Sequence, residues 1–300
     1  MSNPLLSIVI LNNSRRDDVI PCLNSLYASK YKNFKVIIAD NASTDDSVAI
    51  IRRDFPQAQV IDLASNLGYA GNNNIGIRAA LEQGAEWIFL LNDDTILDPN
   101  CLSYLMETAE SDPSVGILGP LVYHYDEPTV IQSAGGSLGK FWDSVHLGKD
   151  EADNGQFASV VPVQWISGCA ILVRSELIRR AGMLDEDYFL YWEETEWCIR
   201  ASKAGWKIVL DPRAKLWHKG VKRNYEPRPY VTYYMTRNHL FTLSKHRAPL
   251  HVRLHVFFTM LRTLVSWTIK PQWRNKRDHR DAMWKGMRDY LAGRMGPMPS

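Results

Sequence analysis

Apolar runs at residues 6–11, 34–39, 60–63 and 87–91 alternate with stretches of helical periodicity at 18–28, 46–53 and 71–83. That alternation predicts an α/β fold, a Rossmann-like, mainly parallel central sheet with helices on both faces. The segments Ser7-Ile8-Val9-Ile10-Leu11 and Lys35-Val36-Ile37-Ile38-Ala39 are continuously apolar, as strands covered on both faces are. Ligands of such sheets bind beyond the carboxyl ends of the strands. Those ends read Asn12-Asn13, Asp40-Asn41 and Asn92-Asp93-Asp94, all polar. Past Asp94 the pattern turns mixed. It predicts a helix at 99–111, a strand near 115–118, an irregular Gly-rich stretch at 133–155 and a strand at 163–173. Helices at 175–181 and 195–204 and a strand at 207–210 follow. Beyond His218 the chain becomes aromatic and basic, which places a boundary near Gly220 between a main domain, 1–220, and a largely helical region, 221–300.

Composition narrows this only modestly. Three hundred residues with 45% hydrophobic and 23% charged content describe a globular chain, and a net charge of +2 implies no nucleic-acid partner. Basic residues crowd the last third and acidic ones the first two thirds. Cys22, Cys101, Cys169 and Cys198 lack a Cys-x-x-Cys spacing, which fits reduced thiols in a cytoplasmic setting. The start, Met1-Ser2-Asn3-Pro4, carries no basic segment, and the short apolar run after it reads as a first strand instead of a signal peptide.

The candidate chemistry lies at the strand ends. Adjacent Asp93 and Asp94 repel each other and resist desolvation, so a divalent cation, Mn2+ or Mg2+, bridging them to substrate phosphates is one reading and a solvated turn the other. Asp40, at the end of the second strand, is placed to accept hydrogen bonds from a base or ribose, while Ser43, Thr44 or Asp45 caps the next helix. Gly68 and Gly71 precede a helix, where small residues admit a ligand or simply pack tightly. In Tyr188-Phe189-Leu190-Tyr191-Trp192-Glu193-Glu194-Thr195, aromatic residues surround paired glutamates. An aromatic wall stacks on sugars and raises a carboxyl pKa, which suits Glu194 as a general base. The competing reading makes Thr195 a helix cap with Glu194 and Glu196 in the first turn.

Taken in order, Ser7-Ile8-Val9-Ile10-Leu11-Asn12, Asp40-Asn41-Ala42-Ser43-Thr44-Asp45, Asn66-Leu67-Gly68-Tyr69-Ala70-Gly71, Asn92-Asp93-Asp94 and Trp192-Glu193-Glu194 resemble the family 2 glycosyltransferases, nearest the bacterial rhamnosyltransferase-like branch. The resemblance spans about residues 5–220. It implies the GT-A fold, a nucleoside-diphosphate sugar donor and inversion at the anomeric carbon. It also implies that Asp40 contacts the pyrimidine, that Asn12 and Gly71 belong to the donor site, and that Asp93 and Asp94 serve the metal and diphosphate as a DXD-like motif. Glu194 would be the base, Trp192 and Glu193 would face the acceptor, and His218 would ligate the metal. Two departures stand out: Asn13-Ser14 replace the usual Tyr-Asn, and Asn92 replaces the first DXD acid.

The implied function is metal-dependent transfer of a sugar, L-rhamnose foremost, from a dTDP- or UDP-sugar to a cell-surface glycan or lipid-linked acceptor. The alternatives are a nucleotidyltransferase and a catalytically silent scaffold of polysaccharide assembly. Residues 254–269 are apolar but interrupted by Arg262 and flanked by cations. They fall short of a bilayer span and read as an amphipathic helix on the inner face of the cytoplasmic membrane, or as a helix packed on the main domain or on a second subunit in a homo-oligomer. Tyr233-Tyr234-Met235-Thr236-Arg237-Asn238 is also familiar from the family, with Arg237 in reach of a phosphate.

Overall fold

The computed structural model describes residues 4–220, 222–223 and 225–299. Residues 1–3, read above as lacking a basic segment, and Val221, at the expected boundary, lie outside them. The chain opens with β1 (Leu6–Asn12), α1 (Arg16–Tyr27), β2 (Phe34–Asp40), α2 (Ser47–Asp54), β3 (Gln59–Asp62), α3 (Gly68–Glu82) and β4 (Trp87–Asn92). β1 pairs in parallel with β2 and β4, and β2 with β3, because each intervening helix returns the chain to the same end of the sheet. Leu6, Ile8 and Ile10 face a core shared with α1 and α2, while Val9 faces a second core with α3. The period of two in a strand buried on both faces produces that division.

The second half contributes β5 (Thr95–Leu97), α4 (Cys101–Ser111), β6 (Val115–His124), β7 (Ile131–Ser133), β8 (Gly136–Leu138), β9 (Ser144–His146), β10 (Val161–Pro162), β11 (Ala170–Arg174), α5 (Ser175–Ala181), α6 (Glu193–Lys203) and β12 (Lys207–His218). The main sheet runs β10-β12-β6-β11-β4-β1-β2-β3. β11 is antiparallel to both β4 and β6, and β12 is parallel to β6.

Three expectations change. The strand expected at 163–173 is split, because residues 164–168 leave the sheet and turn, with Ala170 N bonded to Ser167 O. The strand expected to stop at 210 runs on to His218 through an irregularity between Asp211 and Lys215, where Asp211-Pro212 makes a bulge and not a turn. Its extension pairs His218 with Thr95, returning the imidazole to the acidic end of β4. Thr195 is no cap, since α6 begins at Glu193 after a left-handed Trp192.

The chain ends in α7 (Pro229–Lys245), α8 (Leu250–Ile269) and α9 (Arg277–Leu291). Leu240 and Leu243 of α7 pack with Val252 and Val256 of α8 and Met287 of α9. Tyr233 and Tyr234 of α7 pack instead on Phe189, Leu190 and Tyr191, immediately before α6.

Candidate active site

Between β4 and β5 the chain turns through Asp93 and Asp94, with Thr95 Oγ1 donating to Asn92 O at 2.8 Å. Both carboxylates are buried. Arg15, from the loop after β1, spans them, with Nη1 3.3 Å from Asp93 Oδ1 and Nη2 3.0 Å from Asp94 Oδ2. Asp18 anchors the same guanidinium at 2.9 Å. His218 Nε2 lies 3.0 Å from Asp94 Oδ1, and its Nδ1 lies 2.6 Å from Gln132 Oε1. Burial alone would raise the Asp94 carboxyl, but His218 and Arg15 outweigh it and bring the pKa down to about 2. At Asp93 burial prevails over Arg15, with Asp94 adding repulsion, and the pKa rises to about 7.

This corner suits a divalent cation. Asp94 Oδ1 is buried without a well-formed hydrogen bond, 3.0 Å from His218 Nε2. With Nδ1 donating to Gln132, His218 would take a divalent cation at Nε2 in place of the proton it turns to Asp94. A hard carboxylate oxygen and an imidazole nitrogen match Mn2+ or Mg2+. Among the described residues no three His, Cys, Asp or Glu groups converge into a complete metal site, so phosphate oxygens and water would supply the remaining ligands.

Asn12 and Asp40 form a neighbouring group at the ends of β1 and β2. Asn12 Nδ2 donates to Asp40 Oδ1 at 2.7 Å, and Ser43 gives Asp40 two more bonds, Oγ to Oδ1 at 2.6 Å and N to Oδ2 at 3.0 Å. Asp40 thereby fixes the 40–47 loop, while Asn12 Oδ1 is buried and unpartnered. Gly71 is buried in α3, where a Cβ would come within 2.5 Å of Leu67 Cβ; packing accounts for this glycine.

The opposite wall starts from the αL turn at Trp192, which points the first turn of α6 inward. Glu193 is buried and Glu194 half-buried, and one oxygen of each has no partner. Burial and the adjacent Glu194 push Glu193 well above the usual carboxylate range. Burial also raises Glu194, opposed by the backbone N–H groups of Glu194, Thr195 and Gly168. Gly168 belongs to the turn that interrupts the expected strand, and a Cβ there would lie 3.2 Å from Tyr69 Oη. Tyr69, the aromatic residue of the Gly-rich loop, donates its hydroxyl to Gly168 O.

One cleft of about 400 Å³ gathers Asp94, His218, Glu193 and Glu194. Arg15, Tyr69, Gln132, His146 and Lys149 also line it and escaped sequence reasoning. Arg15 had a readable signal, a cation three residues past the first strand. Gln132, His146 and Lys149 come from irregular or short-strand sequence with no periodicity to mark them. Trp192 does not line the cleft; it stacks on His239, ring centroids 4.6 Å apart. Asn12, Asp40 and Gly71 lie outside the lining, and Asp93 reaches it through Arg15.

The chain is 28% identical to an N-acetylglucosaminyl-diphospho-decaprenol L-rhamnosyltransferase of Mycobacterium tuberculosis, covering 82% of this chain and 88% of that one. It is 25% identical to a dTDP-rhamnosyl transferase of Shigella flexneri over 98% of both chains. Among solved structures, the mannosyltransferase PcManGT from Pyrobaculum calidifontis, in complex with GDP-Man and Mn2+, superposes with a TM-score of 0.60 at 14% identity over 96% of this chain and 87% of that one. S. aureus TarS 1–349 does so with a TM-score of 0.58 at 14% identity over 96% and 91%. These likenesses establish the GT-A fold, and the glycosyl transferase family 2 model matches residues 7–178. The chain belongs to glycosyl transferase family 2 and is a glycosyltransferase.

Proposed function

We propose that this enzyme is an inverting, metal-dependent transferase that moves L-rhamnose from a pyrimidine nucleoside diphosphate, dTDP foremost, to a hydroxyl of a lipid-linked or cell-surface glycan. The observation that carries the reading is a single cleft with one carboxylate, Asp94, held charged by His218 and Arg15 on one wall and two glutamates raised by burial on the other. The rhamnosyltransferase names of the two relatives support the sugar.

Glu194 takes the proton of the acceptor hydroxyl, and the oxygen attacks the anomeric carbon as the bond to diphosphate breaks. Attack from the wall opposite the diphosphate inverts the configuration. Asp94 and His218 would hold the divalent cation, which neutralises charge on the departing diphosphate. Arg15 offers that diphosphate a second cation from the rim. Asn12 and Asp40 order the loops around the nucleoside, and Glu193 offers a hydrogen bond to the acceptor. A nucleotidyltransferase has no use for a raised base on the far wall, and a silent scaffold has none for an imidazole set against a buried carboxylate in the cleft.

The acceptor's lipid accounts for α8. Leu250, Leu254, Phe258, Val265 and Ile269 form an exposed apolar stripe, joined by Trp284 of α9. No described helix is long and apolar enough to cross a membrane. Residues 227–277 contain no Asp or Glu, while Arg247, Arg253, Arg262, Lys270 and Arg274 are exposed beside the stripe. Two such faces would repel each other, whereas an anionic inner leaflet attracts them.

The test is turnover of a panel of dTDP-, UDP- and GDP-sugars with and without Mn2+, in the presence of anionic or zwitterionic vesicles. Metal-dependent consumption of dTDP-rhamnose, with sedimentation on anionic vesicles alone, is the expected result. Consumption of a different donor corrects the sugar, and binding without any turnover favours the scaffold.

A further inference from the structure

The segment that delivers Glu193 and Glu194 to the cleft is strained. At Phe189 (φ 63°, ψ −54°) the chain closes a three-residue turn, Leu190 N donating to Tyr188 O at 2.7 Å. Tyr191 (φ 65°) and Trp192 (φ 76°) also have positive φ. None of the three is glycine, and side chains rarely accept such backbone. Conformations of this kind persist only where the surroundings impose them.

Three consecutive residues of α7 do the imposing. Asn238 is fully buried, and its Nδ2 donates to the carbonyls of Tyr188, Leu190 and Tyr191 at 3.0, 2.9 and 2.8 Å. Arg237, also fully buried, donates from Nη2 to Tyr188 O at 2.9 Å and to Asp187 O at 3.3 Å. Its Nε donates to Asn238 Oδ1 at 2.9 Å, which sets the amide with its NH2 toward the turn. His239 stacks on Trp192. From the other side, Tyr69 N donates to Phe189 O at 2.7 Å, and Gly68 (φ 75°) leaves room for that carbonyl, which a Cβ would approach to 2.2 Å. The Arg237 side chain expected to reach a phosphate is therefore enclosed and committed to backbone carbonyls.

We infer that Arg237 and Asn238 are positioning residues of the transfer reaction: they hold the 187–192 turn in its strained form so that Glu194 stands where the acceptor hydroxyl arrives. The inference rests on Glu194 being the base. Released from Asn238, the turn relaxes toward negative φ and rotates the start of α6. The donor-side corner at Asp94 and His218 has no contact with the clamp and is left intact.

The test uses Asn238→Asp, which preserves size and the Arg237 contact but removes both N–H donors. Donor turnover with Mn2+, its pH profile and calorimetric binding of dTDP are measured on the full chain. Turnover is expected to fall about 10²-fold, as a roughly 1 Å displacement of a catalytic group costs. The acid limb of the pH profile should move, while the dTDP dissociation constant stays within about twofold of the parent. Adding Phe189→Gly, which accepts positive φ without strain, should recover about tenfold. If Asn238→Asp does not fold, Asn238→Gln, which displaces the amide by one methylene, gives the same readout. Parallel loss of dTDP binding and turnover, or unchanged turnover, overturns the inference. So does a loss with an unmoved pH profile and no rescue. A parent chain that turns over no donor defeats the reading on which it rests.

Discussion

Asp94 and the adjacent Glu193 and Glu194 face one cleft, and the fold treats its two walls in opposite ways. Asp93 and Asp94 sit in a tight turn between strands with Arg15 across both and His218 against the second, so Asp94 remains charged to about pH 2. Glu193 and Glu194 open a helix and form no ion pair among the described residues, and burial raises both. Permanent negative charge is what a divalent cation and a diphosphate need from a protein. A proton affinity lifted toward the working pH is what a general base needs. The proposed reading puts donor chemistry at the strand turn and acceptor chemistry at the helix start.

Removing the base should break the contrast most severely. Glu194→Gln is expected to lower turnover by about 10²–10⁴-fold while leaving dTDP and Mn2+ binding intact, and steady-state kinetics with calorimetry separate the two. Asp94→Asn should lose turnover together with metal-dependent binding. Equal losses of dTDP affinity in both variants would mean that the two walls do not divide the work. The parent's turnover should rise with pH along a limb above the ordinary glutamate range, since the raised Glu194 carboxyl must ionise before it accepts a proton.

Arg15 sharpens the donor side. A carboxyl held low by a cation contributes stability above its unfolded pKa and loses it as pH falls toward its folded value. Arg15→Gln should therefore lower the melting temperature at pH 7 in EDTA by about 2 °C, with less loss near pH 3. Excess Mn2+ should restore it and bind more tightly than to the parent, because the competing cation is gone. A metal response equal to the parent's would show that Arg15 and the metal do not share the Asp94 site.

What was legible in the sequence follows the range over which each feature is determined. β1 to β4 and their helices were readable because burial on both faces writes continuous apolar runs, and Asn12, Asp40 and Asn92 stand at the ends of three of them. Asp94 and Glu194 were readable for the same reason, as acids where a run stops. The route of β12 to His218 was not, because Asp211-Pro212 has the local chemistry of a turn and only pairing with Thr95–Leu97 on one side and Leu121–His124 on the other keeps the strand going. The role of Arg237 was equally hidden. Nothing in Thr236-Arg237-Asn238 indicates that its partners are carbonyls some fifty residues away, and the strain they hold is a backbone property that composition does not encode.

Glu193 offers the smallest effect and the finest test of the contrast. Its folded pKa lies above its unfolded value, so the neutral form fits the fold. The stabilisation is complete below the unfolded glutamate pKa of about 4.3 and is lost as pH rises toward the folded value. Glu193→Gln mimics the neutral acid permanently, so its melting temperature should match the parent's near pH 4 and exceed it by about 1–2 °C at pH 8. Turnover should change by less than about tenfold, because the glutamine still bonds an acceptor hydroxyl and Glu194 still takes the proton. A melting difference that is flat with pH would show Glu193 to be compensated after all. Turnover falling as far as in Glu194→Gln would move the base one residue toward Trp192.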